Sequence, residues 1–188
     1  MAEAKDNIVT KGFSGTIDRT LTFRQRAGKT FVGKLRRASS LAASEKMLAV
    51  RAKFATSIDY ATKAIKVAET KALYQAGAKA GQSAFNVAVA DAFNAPEIGD
   101  ISTTGYHGAV GDEITVRATD DFKVAAVTVS IHNAAGDLLE QGAAVMQEST
   151  IDWLYKATAA NTAVAGSKIT AVASDLPGNN TSKEVTLA

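Results

Sequence analysis

The stretch Asp112–Asn133, DEITVRATDDFKVAAVTVSIHN, decides how the second half of this 188-residue chain is read. Ile114, Val116 and Ala118 alternate with Thr115, Arg117 and Thr119, and after Asp120-Asp121 the alternation resumes at Val127, Val129 and Ile131. Period-two alternation on both sides of an acidic turn predicts two half-buried strands.

The pattern continues in both directions. Strands are expected near 98–103, 112–119, 124–132, 138–146, 151–158, 167–174 and 181–187, joined by Gly-, Asp- and Asn-rich turns. Ile151, Trp153 and Tyr155 repeat the alternation. About seven short strands in about ninety residues, with regular turn spacing, predict an immunoglobulin-like sandwich over 96–188.

The segments GDEITVRATDDFKVAAVTVSI, Trp153-Leu154-Tyr155 and KITAVASDLPGN resemble the bacterial Ig-like domains of surface and phage structural proteins. Those domains carry an A-x-D after one strand and a D-x-x-GN before the last. The resemblance covers about half the chain and implies a fold and a structural setting, with no activity. Residues 13–95 resemble uncharacterised bacterial proteins that place a GK-T hairpin and an alanine-rich helical region before such a sandwich.

Upstream lies a helical pattern over 44–80. Ser44 is the expected N-cap and Glu45 lies in the first turn, followed by a stripe of Met47, Phe54, Ile58, Ala61 and Ile65. A short helix is expected around 69–76. Another is expected over 83–93, capped by Gln82 or Ser83 and presenting Phe85, Val89 and Phe93. Pro96 closes this region, because proline disfavours helix in the residue before it.

Residues 1–12 are polar, with nothing in them that demands order. Residues 13–37 read as a β-hairpin arm turning near Arg26-Ala27-Gly28-Lys29. Continued alternation puts Ile17, Leu21, Phe23, Phe31 and Leu35 on one face, against Thr20, Thr22, Arg24, Arg26, Thr30, Lys34 and Arg36 on the other. The fold class is therefore α+β: an arm over 1–37, a helical region over 38–95 and a sandwich over 96–188.

Charge is divided unevenly. Residues 1–94 hold 16 Lys and Arg against 7 Asp and Glu, a net of +9, while residues 95–188 hold 5 against 12, a net of −7. Such a partition suits a polyanion-binding half, head-to-tail contact between copies, or two solvated regions that differ in composition. There is no cysteine, which excludes disulfides and thiolate metal sites. No stretch approaches the roughly 18 apolar residues of a membrane span. The first residues lack the apolar core of a secretory signal, so cytoplasmic synthesis is expected, with a place in a virion or extracellular assembly.

The chemical motifs are sparse. Gly28-Lys29-Thr30 lacks the glycine and the following helix of a phosphate-binding loop. His107 and His132 are isolated from each other and from any nucleophile motif. Asn179-Asn180-Thr181 fits a glycosylation acceptor, which means nothing without secretion. Asp120, Asp121 and Asp175, with Asn179, could converge at one end of the sandwich and supply part of a calcium shell. Asp and Asn also populate turns by bonding their own backbone, so no metal and no cofactor is assigned.

No common catalytic constellation is present, so no enzyme is expected and no small-molecule substrate is evident. These readings point to a structural protein that assembles with copies of itself or with a larger particle such as a virion, tube or filament. The expected interface is the arm, through Ile17, Leu21, Phe23, Arg24, Arg26, Lys29, Phe31, Lys34 and Leu35. A nucleic-acid-binding protein using the basic half, and an Ig-like module binding a glycan or protein, are the alternatives. Against nucleic acid stands the expected separation of Phe23 and Phe31 from Arg24, Arg26 and Lys34.

Overall fold

The computed structural model describes residues 2–3, 10, 12–26, 28–35, 42–148 and 151–188. Ala27, Arg36 and most of residues 1–12, on which some expectations rested, lie outside them. The chain divides into two compact units, residues 1–51 with 78–82 and residues 52–77 with 83–188. The boundaries differ from the three expected segments, because most of the helical region falls in the second unit.

The first unit contains a four-stranded antiparallel sheet of β1 (Ala2–Glu3), β2 (Gly15–Ile17), β3 (Leu21–Arg26) and β4 (Lys29–Lys34), in the order β1-β4-β3-β2. The expected hairpin is its centre, β3 against β4, closed by the pairing of Arg26 with Lys29, with Gly28 at φ 76°. Two further short strands flank it, and Asp18 and Arg19 adopt positive φ to turn β2 into β3.

Three helices follow: α1 (Glu45–Ala64), α2 (Ala68–Ala76) and α3 (Ala84–Phe93). The caps are those the sequence suggests. Ser44 Oγ accepts from Met47 N at 3.3 Å, and Ser83 Oγ accepts from Asn86 N at 3.3 Å. The expected faces differ. In α1 only Ser57, Ala61 and Ala64 are buried, leaving Met47, Leu48, Val50, Phe54 and Ile58 exposed. In α3 the buried stripe is Ala84, Val87, Ala88 and Asp91, while Phe85, Val89 and Phe93 are half-buried.

The strands of the second unit are β5 (Glu97–Gly105), β6 (Glu113–Thr119), β7 (Val124–His132), β8 (Leu138–Ala143), β9 (Val145–Met146), β10 (Asp152–Lys156), β11 (Lys168–Asp175) and β12 (Asn180–Thr186). They form two antiparallel sheets, β5-β6-β10-β9 and β12-β11-β7-β8. One core joins them: Ile101, Ile114, Val116 and Trp153 from the first sheet meet Val127, Val129, Ile131 and Ile169 from the second. The strand expected over 138–146 is broken at Ala144. β8 pairs with β7 and β9 pairs with β10, so the chain changes sheets there. Ile151, expected to point inward with Trp153 and Tyr155, is exposed.

Glu140 on β8 is buried within this unit. Its Oε2 accepts from Tyr155 Oη at 3.0 Å, Thr158 N at 2.6 Å, Thr158 Oγ1 at 2.7 Å and Ala159 N at 3.1 Å. Burial pushes this carboxyl up, but the donors from Thr158, Tyr155 and Ala159 outweigh it and hold the group below its ordinary value. A depressed carboxyl stabilises the fold above its unfolded pKa and loses that contribution as pH falls through the folded value. Glu140→Gln should therefore cost about 1–3 kcal/mol at neutral pH. In urea titrations the gap from wild type should narrow below about pH 4.5. A gap that stays constant to strongly acid pH would show that the ionised form carries none of it.

Candidate functional site

The expected interface lies on β2, β3 and β4. The pairing is Phe23 with Val32, Arg24 with Phe31, Arg26 with Lys29 and Leu21 with Lys34. Directly paired residues share a face. One face thus carries Ile17, Leu21, Phe23, Gln25, Thr30, Val32 and Lys34, and the other Thr22, Arg24, Arg26, Lys29 and Phe31.

This corrects the sequence expectation on the second strand. Arg26 pairs with Lys29, a register that pairs odd positions with even ones across the hairpin. Carrying the alternation straight through the turn therefore assigns every side chain of β4 to the wrong face. Phe31 stands among the basic residues, and Lys34 stands on the apolar face.

The nine residues are unequal. Phe23 is 8% exposed, with the Phe13 ring edge-on at 5.9 Å. Phe31 is half-buried, whereas Ile17 and Leu21 keep 50% and 40% of their surface and Leu35 is also exposed. Arg24, Arg26, Lys29 and Lys34 are exposed. The Gly28-Lys29-Thr30 segment enters β4 as a strand, and Thr30 Oγ1 accepts from Gln25 Nε2 at 2.8 Å.

A second group of polar side chains lies in the other unit. Asp91 on α3, Asp120 after β6 and Asp175 at the end of β11 each place a carboxylate oxygen within 4.8 Å of one from the other two. The sequence singles out two of these three. Asp121, the other candidate, instead accepts from Asn94 Nδ2 at 2.5 Å. Asn179 Nδ2 donates to Asp175 Oδ2 at 2.7 Å and lies 3.3–3.4 Å from the carbonyl oxygens of Asp91, Ala92 and Asn94.

Asp91 is the residue that sequence reasoning missed. It is 0% exposed and is the only charged residue of α3. Tyr74 Oη donates to its Oδ2 at 2.5 Å, and Tyr60 Oη lies 2.9 Å from Tyr74 Oη. Tyr74 itself is fully buried, its ring 4.7 Å from that of Phe122. Burial lifts the Asp91 carboxyl to about 7; the Tyr74 hydrogen bond opposes this, and nearby Asp120 and Asp175 add to the rise. Burial likewise pushes the Tyr74 hydroxyl up, with Asp91 and Tyr60 adding to it. The spacing Ala84-Val87-Ala88-Asp91 follows one helix face and is the signal that could have found it.

His107 and His132 stay in separate settings, one in the loop after β5 and one at the end of β7. No protein-family model matches the chain, and no curated protein matches it. Among solved structures it is similar to an engineered protein at 16% identity and a TM-score of 0.35, over 59% of this chain. The chain spans 29% of that protein's length, and a likeness this loose carries no argument.

Tyr74→Phe removes the donor to Asp91 while keeping the ring on Phe122. It should lower the unfolding free energy by about 1.5–3 kcal/mol, as for a buried hydrogen bond to an ionisable group. A change below about 0.5 kcal/mol in denaturant titrations would show that the Tyr74–Asp91 bond contributes little.

Proposed function

We propose that this chain is a non-enzymatic assembly protein whose N-terminal sheet docks on a second copy of the same chain. The observation that carries this reading is two exposed apolar groups in the first unit, the cross-strand pair Ile17 and Leu21 on the sheet and a group on α1. Ile17 and Leu21 on the sheet and Met47, Leu48 and Val50 on α1 are all largely exposed. Clustered exposed apolar side chains mark interaction surfaces more often than a free solvent face.

The occupant we favour is another copy because the charges are complementary. Lys34 is exposed on the face that carries Ile17 and Leu21, and Glu97 and Asp100 are exposed on β5, at the edge of its sheet. Contact between two different surfaces of identical subunits is head-to-tail, and it closes into rings or runs on as filaments. That setting agrees with the resemblance to structural domains of surface and phage proteins. The strand orders support the Ig-like part of the reading: β5-β6-β10-β9 opposite β12-β11-β7-β8 corresponds to the ABED and GFC orders, with one strand added beside C.

The test is the mass in solution at low and high salt, with electron microscopy of the same sample. The wild type should form regular assemblies much larger than 19.5 kDa. Ile17→Asp with Leu21→Asp, both at exposed positions, should leave a folded monomer. A wild type that stays monomeric at every concentration in both salts defeats the proposal.

A second reading is favoured by the corrected hairpin register. Phe31 is interleaved with Arg24, Arg26 and Lys29 on one face, the arrangement a single-stranded nucleic acid uses for stacking and phosphate contact. If that face binds single strands, affinity should fall with salt by about 0.7 log units per log unit for each phosphate neutralised. Arg24→Ala should then reduce the slope by about that amount, and Phe31→Ala should weaken binding with the slope unchanged. A flat salt response sinks it.

A further inference from the structure

We propose that Asp91, Asp120 and Asp175 bind one hard divalent cation of calcium's class, which ties α3 to the two sandwich loops at 120–123 and 175–179. The argument begins with charge. Asp91 is 0% exposed and Asp175 is 4% exposed, and among the described residues none of the three carboxylates pairs with Lys or Arg. Buried carboxylates without a counter-charge are costly, and such groups ordinarily meet a cation or are neutralised.

The free oxygens show where a cation would sit. Asp91 Oδ1 and Asp120 Oδ1 are both buried and receive no hydrogen bond from an N–H or hydroxyl donor, and the two carboxyls lie close enough to share a proton. The opposite oxygens are fixed: Asp91 Oδ2 by Tyr74, and Asp120 Oδ2 by the N–H groups of Phe122 at 3.3 Å and Lys123 at 3.0 Å. Asp175 Oδ1 accepts from Gly178 N at 2.8 Å and Asn179 N at 2.6 Å. Each carboxylate is thus oriented by donors, as second-shell groups orient metal ligands.

Distance and donor type select the ion. Two oxygens on one calcium at about 2.4 Å lie no more than about 4.8 Å apart, and the three carboxylates meet that limit. All the donors are oxygen and no His belongs to the group, which disfavours zinc and copper and suits calcium or magnesium.

The experiment uses the full-length protein, treated with a chelator and then titrated with calcium chloride or magnesium chloride. Thermal melting and calorimetry are the readouts. Calcium should bind at one site and raise Tm, and Asp91→Asn and Asp120→Asn should each weaken binding by at least about tenfold. Asp121→Asn, whose carboxylate faces Asn94, should bind as the wild type does. In chelator, Asp91→Asn should melt no lower than wild type, because its amide oxygen still accepts from Tyr74 and a buried charge is gone. Asp120→Asn supplies the same test should Asp91→Asn fail to fold.

A wild type with no binding heat and no Tm shift at about 10 mM calcium, above the range of weak calcium modules, overturns the proposal and leaves a shared proton as the compensation. Binding that survives both Asp91→Asn and Asp120→Asn overturns it equally.

Discussion

The second unit depends on one constraint: alternate side chains of two sheets must reach the same core. Ile114, Val116 and Ala118 on β6 meet Val127, Val129 and Ile131 on β7 and Ile169, Ala171 and Ala173 on β11, all fully or almost fully buried. Because strand side chains alternate strictly, each of these strands has only one workable register. The change of sheets at Ala144 follows from the same demand. Ala144 is small enough to be buried at the crossing, and its N–H is satisfied by Val127 O at 2.8 Å. Inward alternation also carries Glu140 under cover, where hydrogen bonds rather than apolar packing make it tolerable.

Polar contacts join the helices of this unit to the sandwich. The carbonyls at the end of α3 have no partner within the helix, and Asn179 Nδ2 approaches those of Asp91, Ala92 and Asn94. Asn179 is in turn held by Asp175, which closes the turn between β11 and β12. Tyr74 spans the same junction, with its ring against Phe122 and its hydroxyl on Asp91. A junction of this kind has few ways to form, because each polar atom requires its own partner.

Much of this architecture was legible in the sequence. β7 was read at its observed bounds and most other sandwich strands to within a residue or two, because period-two alternation is strong there. Ser44 and Ser83 also announced their helices. The misses share a physical cause: periodicity ranks faces by hydrophobicity and cannot see pairing. On α3 the larger residues Phe85, Val89 and Phe93 drew attention from the stripe of small residues that ends at Asp91. On the hairpin, alternation within each strand was right, but the Arg26–Lys29 register reversed the face of β4. The contact of Asp91 with Asp120 and Asp175 joins a helix to two loops, so no local pattern could announce it.

The fate of the acidic residues changes what the charge partition means. The excess of Asp and Glu beyond residue 95 is not all surface charge. Glu140 and Asp175 are buried, and the buried Oδ1 of Asp120 faces inward without an N–H or hydroxyl donor. Asp152, Glu113 and Glu184 are matched by Arg117, Lys156 and Lys168 at 2.8, 3.1 and 2.9 Å. Negative charge available to a partner therefore contracts to a few positions, Glu97 and Asp100 on β5 among them. Exposed ion pairs contribute little, so such a patch can orient an incoming basic sheet more than it can hold one. Holding it would fall to apolar side chains, which is why Ile17 and Leu21 matter more to the assembly reading than Lys34 on the same face.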